Sequence, residues 1–401
     1  MSSPDTARPT VVDDASRLPL AVVAGLFVAT LGLRPQLIAV GPLAPLLRDD
    51  LGITAAVDGL LTTIPVLCMG LFAPVGPGLA ARVGPRQGLA LCLGLIGAAG
   101  LVRSVAPTVP LLILVTLAIG IGIGIAGPIP SMVVADRLPR RRALGTGAYA
   151  GGIVLGSTIA AAVAIPLAGG DEDWRRALAL LSAATFASFA AWLLLVPADA
   201  ARSERPPAVG MPWRHPLAWL LILAFGLQSA LYYGVIAWLP NVYVERGWDA
   251  AHAGSLLAIV NGVGLIATVG VPLVADRVGT RRSQLLLSAA AAVVGFAGVL
   301  ALPDAAILWG IVLGLGLGAI FPLVLTLPLD VAHDPASVGS VTALMLLGGY
   351  VISSASPILL GLVRDATGAF TASLALLLVI AVAFAACCLA LSPARLQRGI
   401  G

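Results

Sequence analysis

A single arginine, Arg34, lies near the middle of an apolar run that extends from Leu18 to Leu47. The run is about 30 residues long, which is enough to cross a bilayer with some tilt. Because the guanidinium stays protonated and a charge at mid-membrane costs at least ~2.5 kcal/mol, the side chain should face a protein interior or a wet cavity. Pro35 removes a backbone donor beside it and frees the carbonyl of Leu31. A fixed cation next to a broken helix predicts an anion site.

A structural arginine paired with an acid in a neighbouring helix is the alternative to a substrate-binding Arg34. The sequence has 19 acidic residues, and our assignment places all of them in tails, in loops or at helix ends. Arg34 therefore has no evident carboxylate partner at its depth, and charges inside a membrane are functional by default. We predict that Arg34 contacts the substrate.

The composition is that of a membrane protein. Of 401 residues, 59% are hydrophobic and 10% are charged, and the mean hydropathy is +1.03, whereas soluble domains carry roughly 25% charged residues. The net charge of +4 is therefore read as loop charge that sets orientation and not as a nucleic-acid surface. The sequence has no Ser-His-Asp order, phosphate-binding Gly-Lys-Ser/Thr segment or metal-ligand cluster. We predict no enzymatic activity, no cofactor and no metal.

Apolar runs bounded by charged or Pro/Gly-rich turns predict twelve transmembrane helices, which place both termini on one side of the membrane. The runs cover residues 18–47, 57–80, 88–105, 108–135, 143–168, 174–196, 216–243, 251–275, 284–302, 305–329, 337–363 and 369–392.

The loops set the predicted orientation and the division into domains. Sixteen of the 23 arginines lie in the tails and the loops on the side of the termini, so both termini are predicted to be cytoplasmic. The Pro- and Arg-containing stretch 198–215 reads as a cytoplasmic linker between two six-helix halves. The predicted division is a tail at 1–17, an N-terminal half at 18–197, the linker, a C-terminal half at 216–392 and a tail at 393–401.

The two predicted halves repeat in sequence with the same orientation. The segment Pro77–Arg86 returns 195 residues later as Pro272–Arg281, and at an offset of 194 Arg34 aligns with Gln228. A parallel repeat places the substrate site between the halves near the midplane, so Gln228 should face Arg34. Tyr232, one helical turn beyond Gln228, shares its face and is predicted to bind substrate as well. An interhelical hydrogen bond is the alternative role for Gln228.

Three further polar residues are weaker candidates for the site. Asn261 lies about ten residues into the eighth predicted span, where its amide needs partners that a cavity would supply. Tyr149 in the fifth span could close the cavity from the cytoplasmic side or could simply pack. Arg103, in the outer third of the third span, can snorkel outward or attract anions at the external mouth.

The turn after the eighth span, Asp276-Arg277-x-Gly279-x-Arg281-Arg282, resembles the cytoplasmic loop signature of the major facilitator superfamily, and the twelve-span pattern covers nearly the whole chain. The resemblance implies gating loops that contain Arg82, Arg86, Asp276, Arg277 and Arg281. The first-half copy departs from the signature because Ala81 stands where the acid belongs. Within the superfamily, Leu33-Arg34-Pro35, Phe225–Ser229, Tyr232-Tyr233 and Trp238-Leu239-Pro240 resemble the cyanate/nitroimidazole transporter branch.

This resemblance implies a monomeric secondary transporter in the bacterial inner membrane that moves a small, compact anion or a nitroimidazole-like compound by alternating access. Its expected partners are the substrate and the lipid bilayer, and no nucleic acid. An exporter of neutral drugs or metabolites is the alternative within transport. A membrane sensor with an inactive transporter fold is the alternative outside it, and would need an appended signalling domain or a long cytoplasmic tail.

Overall fold

The computed structural model describes residues 14–52, 55–169, 173–198, 209–278, 281–392 and 395–396. These residues form sixteen α-helices and a 3-10 turn at Pro303–Ala305, and they contain no strand. The helices are α1 Asp14–Leu31, α2 Pro35–Ile38, α3 Val40–Leu51, α4 Ala55–Leu71, α5 Val75–Val83, α6 Pro85–Ser104, α7 Val109–Ala126, α8 Ile129–Arg137, α9 Arg142–Ala168, α10 Trp174–Leu195, α11 Pro216–Glu245, α12 Ala250–Val278, α13 Arg281–Ala301, α14 Ala306–Val331, α15 Pro335–Thr367 and α16 Phe370–Ala390.

The helices have the length and composition of membrane spans. Among the described residues, eleven segments are long and apolar enough to cross a bilayer, and α4 with α5, bent by 64°, makes a twelfth when the pair is counted as one span. The prediction of an all-helical membrane protein with twelve spans is confirmed on that count. The bend falls between Leu71 and Val75, inside the predicted second span.

We call residues 14–198 the N half and residues 209–396 the C half. The linker end of each helix is the end on the side of residues 209–215, and the far end is the opposite one. At the linker end, Arg142 of α9 donates a hydrogen bond to the carbonyl of Leu329 in α14, and the Met132 side chain of α8 packs against Gly339 of α15. The two halves therefore touch through α8, α9, α14 and α15 at this end.

The first span is broken where Pro35 predicts a break. Helix α1 ends at Leu31, and its last turn tightens as Gly32 donates to the carbonyl of Ala29 at 3.2 Å and Leu33 to that of Thr30 at 3.3 Å. The freed Leu31 carbonyl faces α9, where a Cβ at Gly156 would lie only 2.2 Å from its oxygen. Glycine at position 156 is thus required for α9 to pack against the break.

Candidate functional site

Arg34 occupies the residue that precedes α2, immediately after the break. Its side chain is only partly exposed, and its Nη2 donates a hydrogen bond to the hydroxyl of Tyr350 in α15 at 2.9 Å. Arg34 makes no ion pair with any acid whose position is described. An arginine of the N half thus contacts a tyrosine of the C half, and most of its five N–H donors remain available to a ligand.

A cavity of about 60 Å³ lies beside Arg34 between the two halves. A volume of that size holds a handful of waters or a ligand of a few heavy atoms, since one water needs about 10–15 Å³ on this measure. Among the residues that the structure describes, the cavity wall includes no acidic residue and no histidine. Its polar side chains are Arg34, Ser157, Gln228, Ser229, Tyr232, Tyr233, Asn261, Thr268 and Tyr350.

Gln228, Tyr232 and Asn261 line the same cavity as Arg34, as the sequence analysis expected. The buried Gln228 amide donates to the hydroxyl of Ser229 at 2.5 Å. Tyr233, for which packing was expected, also reaches the cavity and packs edge-on against Tyr232 with ring centroids 5.6 Å apart. One cationic group therefore faces a wall of amides and hydroxyls.

Tyr149 lies in a separate cavity of about 40 Å³, nearer the linker end. Arg34, Phe321 and Tyr350 line both cavities and so form the partition between them. The Tyr149 hydroxyl is 3.3 Å from the Ser131 hydroxyl and 3.5 Å from the Leu325 carbonyl of the C half. Tyr149 therefore lies on the linker side of the partition, whereas Gln228 lies on its other side.

The sequence analysis expected the Arg103 side chain to extend outward, but it is buried. Its side chain is 1% exposed and donates hydrogen bonds to the backbone carbonyl and to the side-chain oxygen of Gln36 in α2. The sequence offered no reason to pair Arg103 with Gln36, which an ideal helix places on the face opposite Arg34. In the folded chain the backbone carbonyl and side-chain oxygen of Gln36 lie within reach of α6 and accept hydrogen bonds from the buried Arg103. In this conformation Arg103 is closed off from an external mouth.

The predicted gating loops differ between the halves. Arg86 donates to the carbonyls of Val196 and Leu193 at the linker end of α10, both at 2.6 Å, while Arg82 is exposed. Arg281, the repeat mate of Arg86, instead forms an ion pair with Asp330 of α14. The side chains of Asp276 and Arg277 lie outside the described residues.

Tyr350 is the main site residue that the sequence analysis missed. The repeat aligns it with Gly156, so symmetry gave no reason to select it. A phenol deep in an apolar span, in a chain with five tyrosines, was the available signal. Ser157 and Ser229, which also line the cavity, are too common in membrane helices to stand out.

Comparison with known proteins agrees with this architecture. The chain is 34% identical over 342 residues to the cyanate transport protein CynX of Escherichia coli (strain K12), covering 84% of this chain and 88% of that protein. It is 30% identical over 358 residues to the 2-nitroimidazole transporter of the same organism, covering 87% and 89%. Both relatives are transporters of small molecules.

Solved structures share the fold at low identity. The proton:xylose symporter XylE bound to 6-bromo-6-deoxy-D-glucose superposes with a TM-score of 0.76 at 14% identity, covering 92% of this chain and 95% of that one. The human organic anion transporter MFSD10 (TETRAN) gives a TM-score of 0.72 at 15% identity, covering 95% and 100%. The sequence profile of the Major Facilitator Superfamily matches residues 22–357. The chain therefore belongs to the major facilitator superfamily and is a membrane transporter related to cyanate and nitroimidazole transporters.

Proposed function

We propose that this protein is a secondary transporter of a compact anion, or of a nitro-substituted heterocycle that presents partial negative charge, and that it works by alternating access around the Arg34 cavity. The observation that carries the proposal is Arg34 itself, a cation in the middle of the first span with no acid paired to it among the described residues. We place the protein in a bacterial inner membrane on the basis of its relatives, with both termini in the cytoplasm on the basis of its loop arginines. We expect it to act as a monomer.

The polar groups of the cavity suit a planar or linear ligand with terminal oxygen or nitrogen acceptors. Arg34 supplies a planar fork of N–H donors, which binds a carboxylate-like or nitro group at two points. The amides of Gln228 and Asn261 can serve as donors or acceptors on the facing wall. The tyrosine rings of 232 and 233 offer flat apolar surface to a heterocycle. These features support cyanate and 2-nitroimidazole, the substrates named for the relatives, as the first ligands to test.

The hydrogen bond from Arg34 to Tyr350 gives a route from binding to conformational change. It joins the N half to the C half and closes the partition between the two cavities. An anion that draws the guanidinium into the cavity competes with the Tyr350 hydroxyl for Nη2, so binding weakens an inter-half contact. A ligand shifts a conformational equilibrium only through such a difference in contacts between states.

An exporter of neutral compounds is the second candidate, because eight of the nine polar side chains at the cavity are uncharged at neutral pH. Such a substrate would rely on the amides and phenols and would depend little on Arg34. The two functions therefore differ in what removal of the arginine charge does.

A thermal-shift titration of the purified protein tests the proposal. Cyanate and 2-nitroimidazole are compared with imidazole, which has a similar ring without the nitro group. A ligand at a hundred times its Kd stabilises the folded state by about 2.7 kcal/mol and raises Tm, so specific binding is measurable. We expect stabilisation by the first two ligands in the wild type and none in Arg34→Gln. Equal stabilisation of both proteins would favour the neutral-compound exporter.

A further inference from the structure

Arg103 is a buried cation with too few partners. It lies in the last turn of α6, 1% exposed, and one of its nitrogens, Nη2, donates to Gln36, with the side-chain oxygen of Gln36 2.6 Å away. Its Nε and Nη1 are also buried, and neither has a hydrogen-bond partner among the described residues. No described acid forms an ion pair with it. Burying an arginine without a counter-charge is costly, and the described group that Arg103 contacts through hydrogen bonds is Gln36.

Gln36 is hydrogen-bonded to two neighbouring helices, α6 and α10. Its Nε2 donates to the Leu178 carbonyl at 3.0 Å and to the Ser182 hydroxyl at 2.8 Å, both in α10, while its oxygens accept from Arg103 in α6. Gly100 leaves the room for this arrangement, because a Cβ there would lie 2.7 Å from Cδ of Gln36. The Gln36 carboxamide is therefore held between α6 and α10.

The segment that carries Gln36 has little internal support. Helix α2 has four residues, it follows the break at Gly32–Arg34, and Ala39 separates it from α3. Four residues are far fewer than a stable isolated helix needs. Contacts from other helices must fix its position, and Arg34 is joined directly to its first residue, Pro35.

We propose that Arg103 is a positioning residue for Arg34: by holding Gln36 against α6 and α10, it fixes α2 and thereby the direction in which Arg34 enters the cavity. Arg103 lines neither of the cavities beside Arg34, so it acts through Gln36 and without touching a ligand. The effect on substrate rests on the proposed function, whereas the effect on the backbone of residues 32–39 does not.

The test uses Gly100→Ala, with Gly94→Ala as its matched control in the same helix. The added Cβ at position 100 would lie 2.5 Å from Oγ of Ser182 and 2.7 Å from Cδ of Gln36, so it displaces the Gln36 side chain together with its Ser182 partner. Neither arginine is changed, so the variant separates geometry from charge. At position 94 the nearest atom to an added Cβ is Cε2 of Phe189 at 3.9 Å, an ordinary contact. Amide hydrogen exchange of residues 32–39 reports the backbone, and titration with cyanate and 2-nitroimidazole reports binding.

We expect Gly100→Ala to fold and to exchange amide protons at 32–39 on the order of tenfold faster than the wild type, because α2 loses its anchor. Affinity for the probe ligands should fall on the order of tenfold to a hundredfold, since a displacement of about 1 Å can cost that much. Gly94→Ala should match the wild type in both measurements.

Gly100→Ala that exchanges and binds like Gly94→Ala would overturn the inference. The exchange measurement decides this even if neither probe binds the wild type, in which case the proposed function fails and the positioning role stands or falls by itself. If Gly100→Ala does not fold, the double variant Arg103→Leu/Gln36→Leu replaces it. Removing both side chains together leaves only the backbone carbonyl of Gln36 without its donor. That costs less than an unpaired buried charge, so this variant should fold, and the same two outcomes apply to it.

Discussion

The first spans of the two halves are repeat mates with different structures. In the N half the span is divided into α1, α2 and α3, with Arg34 at the break. In the C half, α11 runs without interruption for 30 residues from Pro216 to Glu245, with Gln228 in its middle. The same place in the repeat thus carries a cation on broken backbone in one half and a neutral amide on a continuous helix in the other.

The residues that follow the two mates explain the difference. Pro35 has no N–H to give to the Leu31 carbonyl, whereas the corresponding Ser229 keeps its backbone donor. The break turns Arg34 toward Tyr350, while Gln228 remains on a regular helical face beside Ser229. A symmetric frame therefore holds an asymmetric site, in which one half supplies charge and the other supplies neutral hydrogen-bonding groups.

Arg34→Gln makes the two mates chemically alike and should have the largest effect. Loss of two charge-assisted hydrogen bonds, at about 1.5–3 kcal/mol each, predicts anion binding at least a hundredfold weaker. Arg34→Lys should leave a weak remnant because lysine offers no planar fork. Isothermal titration with cyanate measures both. Arg246→Gln, which changes an arginine at the far end of the C half, is the control and should bind like the wild type.

Pro35→Ser copies the C-half residue into the N half. The new N–H can bond the Leu31 carbonyl and extend α1 through the break, which would turn Arg34 away from the cavity. We expect affinity on the order of tenfold weaker, together with slower amide exchange at residues 32–34. Unchanged affinity with a straightened span would show that the break is not needed to present Arg34.

Gln228→Leu removes the neutral contribution of the C half while keeping helix α11. The loss of about 1–1.5 kcal/mol for a neutral hydrogen bond predicts binding roughly fivefold to tenfold weaker. Equilibrium titration with 2-nitroimidazole is the measurement. A loss as large as that of Arg34→Gln would contradict the division of roles between the halves.

Tyr350→Phe removes the hydrogen bond between Arg34 of the N half and Tyr350 of the C half, and it should have the smallest effect on binding. Arg34 no longer has to release the Tyr350 hydroxyl, so anion affinity should rise by a factor of about two to five. The ring and its edge-on contact with Phe225, at 5.2 Å between centroids, are retained. Weaker binding in Tyr350→Phe would instead mean that this hydroxyl contacts the ligand.

The fold could be read from the sequence because twelve apolar runs and a repeat at an offset of 194–195 residues are long-range signals that many residues share. The repeat also paired Arg34 with Gln228, and both line one cavity. That Gln228, Tyr232 and Asn261 bind substrate remains a prediction.

The details that the sequence did not give depend on packing between distant spans. Tyr350 reaches Arg34 across the halves, and its repeat mate is a glycine that serves a different purpose at the break. The pairing of Arg103 with Gln36 follows from where α2 lies after the break, which an ideal helix cannot reproduce. Tyr149 is separated from Gln228 by the partition of Arg34, Phe321 and Tyr350, and a span-by-span reading contains no such partition.

If Arg34 binds an anion in a cavity whose described lining contains no acidic residue, transport should respond to voltage or to exchange and not to a pH gradient alone. Cyanate uptake into proteoliposomes under a potassium-diffusion potential tests it most directly, because an inside-negative potential opposes entry of a monovalent anion by about 2.3 kcal/mol per 100 mV. We predict uptake that rises with an inside-positive potential or requires anion on the opposite side, and that Arg34→Gln abolishes. Accumulation driven by a pH gradient alone, with Arg34→Gln transporting at the wild-type rate, would contradict the account.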